Sequence, residues 1–164
     1  RADLRDLVSV TTIAEGPVLD ETGLRVRALR NAHPPITDSF ALRIEAAGRT
    51  AVFSGDTAPL PALADFARGA ALLIHEAILM PAIDTLVARV GNGDDRLKRH
   101  ILRSHTEAAD AARLAAEAGV RALALHHLIP ADDPAFGVAD WEAAVRPHWE
   151  GPLHVGRDGL QIPV

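Results

Sequence analysis

The chain has 164 residues, 48% of them hydrophobic and 24% charged, a globular composition with enough material for one packed domain spanning 1–164. It contains no cysteine, which excludes disulfides and thiolate metal sites, so any metal must be held by His, Asp and Glu. With 22 acidic against 17 basic residues the formal net charge is −5, which counts against a protein that tracks phosphate backbones, and no apolar run approaches the roughly 18 residues of a membrane span.

The opening "RADLRDLVSV" has no initiator Met and no signal-peptide progression, and reads as cut from something longer. Four strands are predicted next: "LVSVTTI" (7–13), "LRVRAL" (24–29), "FALRIEA" (40–46) and "RTAVFS" (49–54). Each is β-branched or alternates with period two, and Gly, Pro, Asp or Asn clusters separate them, as antiparallel neighbours require. "PLPALADFARG" (59–69) carries its prolines in the first turn and a Gly at its end, which predicts a helix. "AALLIHEA" (70–77) is a short apolar run suited to an inner strand.

Helices follow at "LMPAIDTLVARV" (79–90), stopped by "GNGDD", and at "RLKRHIL" (96–102). The clearest helix is "SHTEAADAARLAAEAG" (104–119): Ser104 and Glu107 have capping-box spacing, and Ala111, Leu114, Ala115 and Ala118 form one apolar stripe. A strand at "VRALAL" (120–125), a helix over 138–149 and closing strands "LHV" (153–155) and "LQI" (160–162) complete the chain. Strands first, then strands alternating with helices, predict an α/β (α+β) mixed sheet with helices on at least one face.

Four chemistry-bearing residues fall at strand ends or helix starts: His33 in "NAHPP", Asp56 in "SGDT", His105 in "SHTE" and His127 in "LHHLIP". Loops at one sheet edge can converge side chains without disturbing the core, and a His and Asp set suits zinc, manganese or iron(II). Each also has a plainer explanation. A loop histidine is commonly a solvated surface residue, Asp in "SGDT" can be a turn residue, and His105 can be no more than the first residue of a capped helix.

The ordered series "HPP…FALRIEAAGRTAVFSGDTAP…LLIHEA…SHTEAADAARLAAEAGV…LALHHLIP" resembles the C-terminal half of metallo-β-lactamase-fold hydrolases, in the branch containing ribonuclease Z and arylsulfatase-like enzymes. The resemblance runs from about Asn31 to the C-terminus and implies half of an αββα sandwich with helices on the outer face. It implies two divalent metal ions, zinc first with manganese or iron as alternatives. His33, Asp56 and His127 would be metal ligands, with Asp56 bridging. His105 would protonate the leaving group, and Glu76 would hold or tune it. His126 is expected to support or pack, His75 to bond locally, and His100, His148 and His154 match no ligand position.

Two metal ions about 3.5–4 Å apart need an anionic ligand between them, and a carboxylate has two oxygens to share. For His105 two effects compete: a nearby carboxylate raises an imidazole pKa and a helix N-terminus lowers it. The branch's His-x-His-x-Asp-His run does not occur in the 164 residues. The expectation is therefore a chain that is metal-poor and inactive by itself, completed by an N-terminal half or a second chain, with an apolar sheet face that favours homo-oligomers. The longer spacer in "HPPITDSFALRI", with Phe40 where ribonuclease Z proteins carry Gly-Tyr, and the acidic balance favour a small-molecule ester (arylsulfatase-like or phosphodiester) over RNA. A tRNA 3′-processing endonuclease is the second alternative and a non-catalytic scaffold the third. No membrane partner is expected, and of the compartments the cytoplasm is favoured.

Overall fold

The computed structural model describes residues 7–90, 94–131 and 133–164. Seven strands form one sheet whose spatial order is the chain order: β1 (Gly16–Glu21), β2 (Leu24–Arg30), β3 (Phe40–Ala46), β4 (Arg49–Phe53), β5 (Leu72–Ile78), β6 (Leu123–Ile129) and β7 (Leu153–Val155). The helices are α1 (Ala62–Ala67), α2 (Met80–Val90), α3 (Arg96–Ser104), α4 (Ala108–Ala118) and α5 (Val138–Val145). No described helix is long and apolar enough to cross a membrane.

The sheet is mixed because its connections differ in length. β1 to β4 pair antiparallel, and Ala47 and Gly48, both at positive φ, make the two-residue turn that joins β3 to β4. From β4 to β7 every pairing is parallel, and each crossover carries at least one helix. One consequence governs the site: β2, β4, β5 and β6 run in the same direction, so their C-terminal ends share one edge of the sheet.

The core lies between one sheet face and α1, α4 and α5. Val52, Leu73, Leu123 and Leu125 meet Leu63, Ala111, Ala115, Trp141 and Val145, all buried. The alanines of α4 let its backbone approach the sheet closely, which is what the predicted stripe specified. α2 and α3 form a second, smaller cluster around Ile78, Ile83 and Ile101. The alternate residues of the strands, among them Val26, Leu42, Ile44, Phe53 and Ile74, belong to neither cluster, and Phe53 is 39% exposed. α1, α4 and α5 thus sit on one face of a mixed sheet, the half-sandwich architecture expected from the sequence, while α2 and α3 pack at the end of β5.

Three local expectations are corrected. Residues 7–13 form no strand; Leu7, Val8 and Val10 lie exposed, and the first strand is Gly16–Glu21 instead. Alternation gives a segment a face but no partner, whereas Thr22 and Gly23 fold β1 directly back onto β2. Residues 160–162 likewise pair with nothing as a strand. The predicted helix over 104–119 breaks in two: Ser104 ends α3 and Glu107 precedes α4 with no side-chain cap. Ser104 Oγ is diverted from capping because it donates to the Pro34 carbonyl, 2.8 Å away. Of the "GNGDD" stop signal, residues 91–93 lie outside the described residues, as do residues 1–6 at the start.

Candidate metal centre

The shared sheet edge carries the candidate residues. His33 follows β2 and Asp56 follows β4; Glu76 lies near the end of β5 and His127 near the end of β6; His105 sits in the link between α3 and α4. Asp56 is presented by Gly55, at φ +59, where a Cβ would lie 2.7 Å from the Phe40 carbonyl oxygen and 2.9 Å from Asn31 Nδ2. Only glycine satisfies both the left-handed turn and that close approach.

His127 is aimed by a bulge. The β5–β6 register passes from Glu76↔His126 to Ala77↔Leu128, leaving His127 as the extra residue, with φ +44. An inserted residue leaves the alternation and re-aims its side chain over the edge. The sequence placed His127 just beyond a strand ending at Leu125; the strand continues to Ile129 and the bulge supplies the exit.

His105 is extended (φ −134, ψ 163), not the first residue of a helix, so the dipole of α4 does not act on it at close range. The competition over its pKa is thereby decided: the hydrogen bond from its Nδ1–H to Glu76 Oε1, 3.2 Å, pushes the imidazole above its ordinary value despite partial burial. Glu76 is fully buried, and burial pushes its carboxyl up against the opposing hydrogen bonds from His105 and the Thr57 amide. Its Oε1 accepts from Thr57 N–H (2.9 Å), Thr106 N–H (3.2 Å) and His105, while Oε2 is buried without a partner among the described residues.

Sequence reasoning passed over the residues that tie these loops together. Thr57, fully buried, accepts the Ala32 amide on its hydroxyl (3.1 Å) and donates that hydroxyl to the Ala58 carbonyl (2.7 Å). Its own carbonyl accepts the Thr106 hydroxyl at 2.6 Å. Asn31 Nδ2 donates to the Ser54 carbonyl, and Ser54 Oγ accepts the Glu76 amide. The signal was present in "GDT" and "SHT", where a small hydroxyl residue follows each chemistry-bearing side chain.

The five side chains converge. One ligand atom from each of His33, Asp56 and His105 lies within 4.8 Å of the other two, and the same holds for Glu76, His105 and His127. His127 Nδ1 lies 3.3 Å from Asp56 Oδ1, and the His105 ring centroid is 5.1 Å from that of His33 and 5.6 Å from that of His127. The donor chemistry fits a borderline divalent ion: with bonds of about 2.0–2.1 Å, two ligand atoms of a tetrahedral site lie about 3.3 Å apart. The His33 Nδ1–H donates to the Ser104 carbonyl at 2.9 Å, which fixes the tautomer that leaves Nε2 free to coordinate. His105 belongs to both triplets, a centrality its spacing in the sequence did not suggest.

The remaining histidines stay outside. His75 is wholly buried, donates Nδ1–H to the Glu76 carbonyl at 2.6 Å, and is pushed down to about 4 by burial. His126 is held low by burial and by His127. His100, His148 and His154 join neither triplet among the described residues.

No family model matches the chain. A protein named ribonuclease Z from Mycobacterium marinum is 31% identical over 158 residues, covering 96% of this chain and 53% of its own length. The chain therefore spans about half the length of the relative it matches. Among solved structures, the metallo-β-lactamase fold protein YhfI from Bacillus subtilis superposes with a TM-score of 0.63 at 24% identity, over 88% of this chain and 51% of that one. Human tRNase Z, short form, gives a TM-score of 0.50 at 24% identity, over 68% of this chain and 38% of that one. With its mixed seven-stranded sheet and α1, α4 and α5 on one face, the chain has the metallo-β-lactamase fold, and in sequence it is similar to proteins of the ribonuclease Z branch.

Proposed function

We propose that the protein carrying this chain is a metal-dependent hydrolase that cleaves an RNA phosphodiester, the tRNA 3′-processing alternative of the sequence reading, rather than an arylsulfatase-like enzyme for small esters. The observation that carries the hydrolase is the convergence of three imidazoles and two carboxylates on one sheet edge, with Asp56 and His127 at ligand-to-ligand distance. The preference for RNA rests on the name of the mycobacterial relative.

In this proposal His33, Asp56 and His127 hold the divalent ions, zinc first. When bound, the ions polarise the phosphoryl group and bring the pKa of water toward neutrality. Glu76 keeps the Nδ1 proton of His105, so the Nε2 of the same ring faces the cluster and delivers a proton to the leaving oxygen. The upward shift of His105 suits a group that must be protonated near neutral pH. Two ions need more ligands than these three, so the active form draws the rest from outside residues 1–164, whether from further sequence or from a second chain.

The test is zinc uptake and cleavage of a 3′-extended tRNA transcript, by the protein and by Asp56→Ala, with 4-nitrophenyl sulfate and bis(4-nitrophenyl) phosphate as alternative substrates. Metal uptake and RNA cleavage should both fall sharply in Asp56→Ala. Equal metal content in the two proteins would remove Asp56 from the ligand set, and sulfate-ester turnover without RNA cleavage would restore the small-ester reading.

A further inference from the structure

The net charge that counts against RNA hides an uneven distribution. Between Arg96 and Ser104, α3 holds Arg96, Lys98, Arg99, His100 and Arg103 and no acidic residue. Leu97 and Ile101 turn inward to the cluster around Ile78 and Ile83. That orientation leaves Arg96, Arg99, His100 and Arg103, at i, i+3, i+4 and i+7, as one exposed stripe. At about 1.5 Å per residue the stripe is about 10 Å long.

The stripe ends at the site. Two residues beyond Arg103 is His105, and the carbonyl of Ser104, the last residue of α3, receives the His33 ring. At the far end Arg96 and Arg99 pair with Asp94 and Asp95, but these pairs are solvent-exposed and so of little worth, and a phosphate can replace either carboxylate. His100 and Arg103, nearest the site, have no ion-pair partner among the described residues.

We propose that this face of α3 is a docking surface for the phosphate backbone of RNA, guiding the strand toward His105 and Asp56. The inference rests on the RNA reading above and adds to it the element that holds the substrate. Charge complementarity selects the occupant: arginine forks match phosphate oxygens, and a stripe on a helix that ends beside the cluster serves a polyanion that must reach it.

The test is fluorescence anisotropy with a labelled 3′-extended tRNA transcript at several salt concentrations. It compares the protein with Arg99→Gln/Arg103→Gln and with Arg113→Gln/Arg121→Gln, a control on exposed arginines elsewhere. The stripe variant should bind roughly tenfold more weakly, with a salt slope flatter by about 1.5–2, while the control matches the parent. Photocrosslinking of 4-thiouridine-substituted RNA to the parent, which needs no substitution, should label α3. A parent that binds RNA while the stripe variant binds equally well, or while both variants weaken alike, overturns the docking surface and leaves the RNA reading standing. A parent that binds no RNA at low salt overturns both, and stripe-dependent binding only to phosphatidylserine vesicles would reassign the surface to membranes.

Discussion

Replacing Thr57 by valine tests whether the candidate centre is held by backbone pinning. Valine has nearly the same shape, so the fully buried pocket stays filled and only the hydroxyl is lost. That hydroxyl accepts the Ala32 amide and donates to the Ala58 carbonyl, bridging the His33 loop and the Asp56 loop. Leaving one part-buried donor and one part-buried acceptor without this partner costs about 1.5 kcal/mol each, and the added methyl returns up to about 0.8 kcal/mol, for a net loss of roughly 2 kcal/mol. Thr57→Ser keeps both bonds and loses one buried methyl, about 1 kcal/mol. Urea unfolding of the three proteins should rank them parent, Ser, Val. Zinc titration should show affinity preserved in Ser and reduced in Val, because the loops bearing His33 and Asp56 lose one of the ties between them, the Ala58 N–H to Ala32 carbonyl and Asn31 to Ser54 carbonyl bonds remaining. If Val proves the more stable variant, or binds zinc as the parent does, the hydroxyl is not the pin.

Three further outcomes are expected. His75 ordinarily titrates at 6.5 and is pushed down to about 4 in the fold, so between those values the unfolded chain binds the more protons. Stability must then fall as pH drops from about 6.5 to 4, by roughly 3 kcal/mol in all, and urea titrations of His75→Asn over that range should show a shallower loss. At His127 the left-handed backbone tolerates asparagine and penalises valine by about 1 kcal/mol, so His127→Asn should unfold at higher urea than His127→Val although both lack the imidazole. Gly55→Ala must move either the Phe40 carbonyl or Asn31; a loss of about 2 kcal/mol or more in unfolding, together with weakened zinc binding, is expected, and an unperturbed variant would show that the turn is softer than its contacts imply.

Much of this architecture was legible because it is written in local patterns. The alanine spacing of α4, the apolar run of β5 and the short connection between β3 and β4 each carry their own signal. The segment at residues 7–13 misled because alternation describes a strand's faces and says nothing about a neighbour, and β1 was overlooked because its Gly-Pro start and acidic end look like a loop. The candidate residues could be named since each sits beside a turn signal, and the common direction of β2, β4, β5 and β6 brings them to one edge. What could not be read was tertiary: the bulge that turns His127 outward, the split that places His105 in an extended link, and the buried hydroxyls of Thr57 and Thr106, whose partners lie 25 and 49 residues away. The basic face of α3 was visible letter by letter, yet net charge concealed it until the helix direction showed where the stripe ends.

Strand order equal to chain order also bears on how the molecule is made. Each new strand joins the free edge left by the one before it, so no later segment has to be threaded between strands already zipped together. The hairpin-linked half closes through short loops and can form while the chain is still emerging, offering the edge of β4 as a template for β5. The ligand-bearing edge is therefore completed late, when His127 arrives, with only α5 and β7 still to follow.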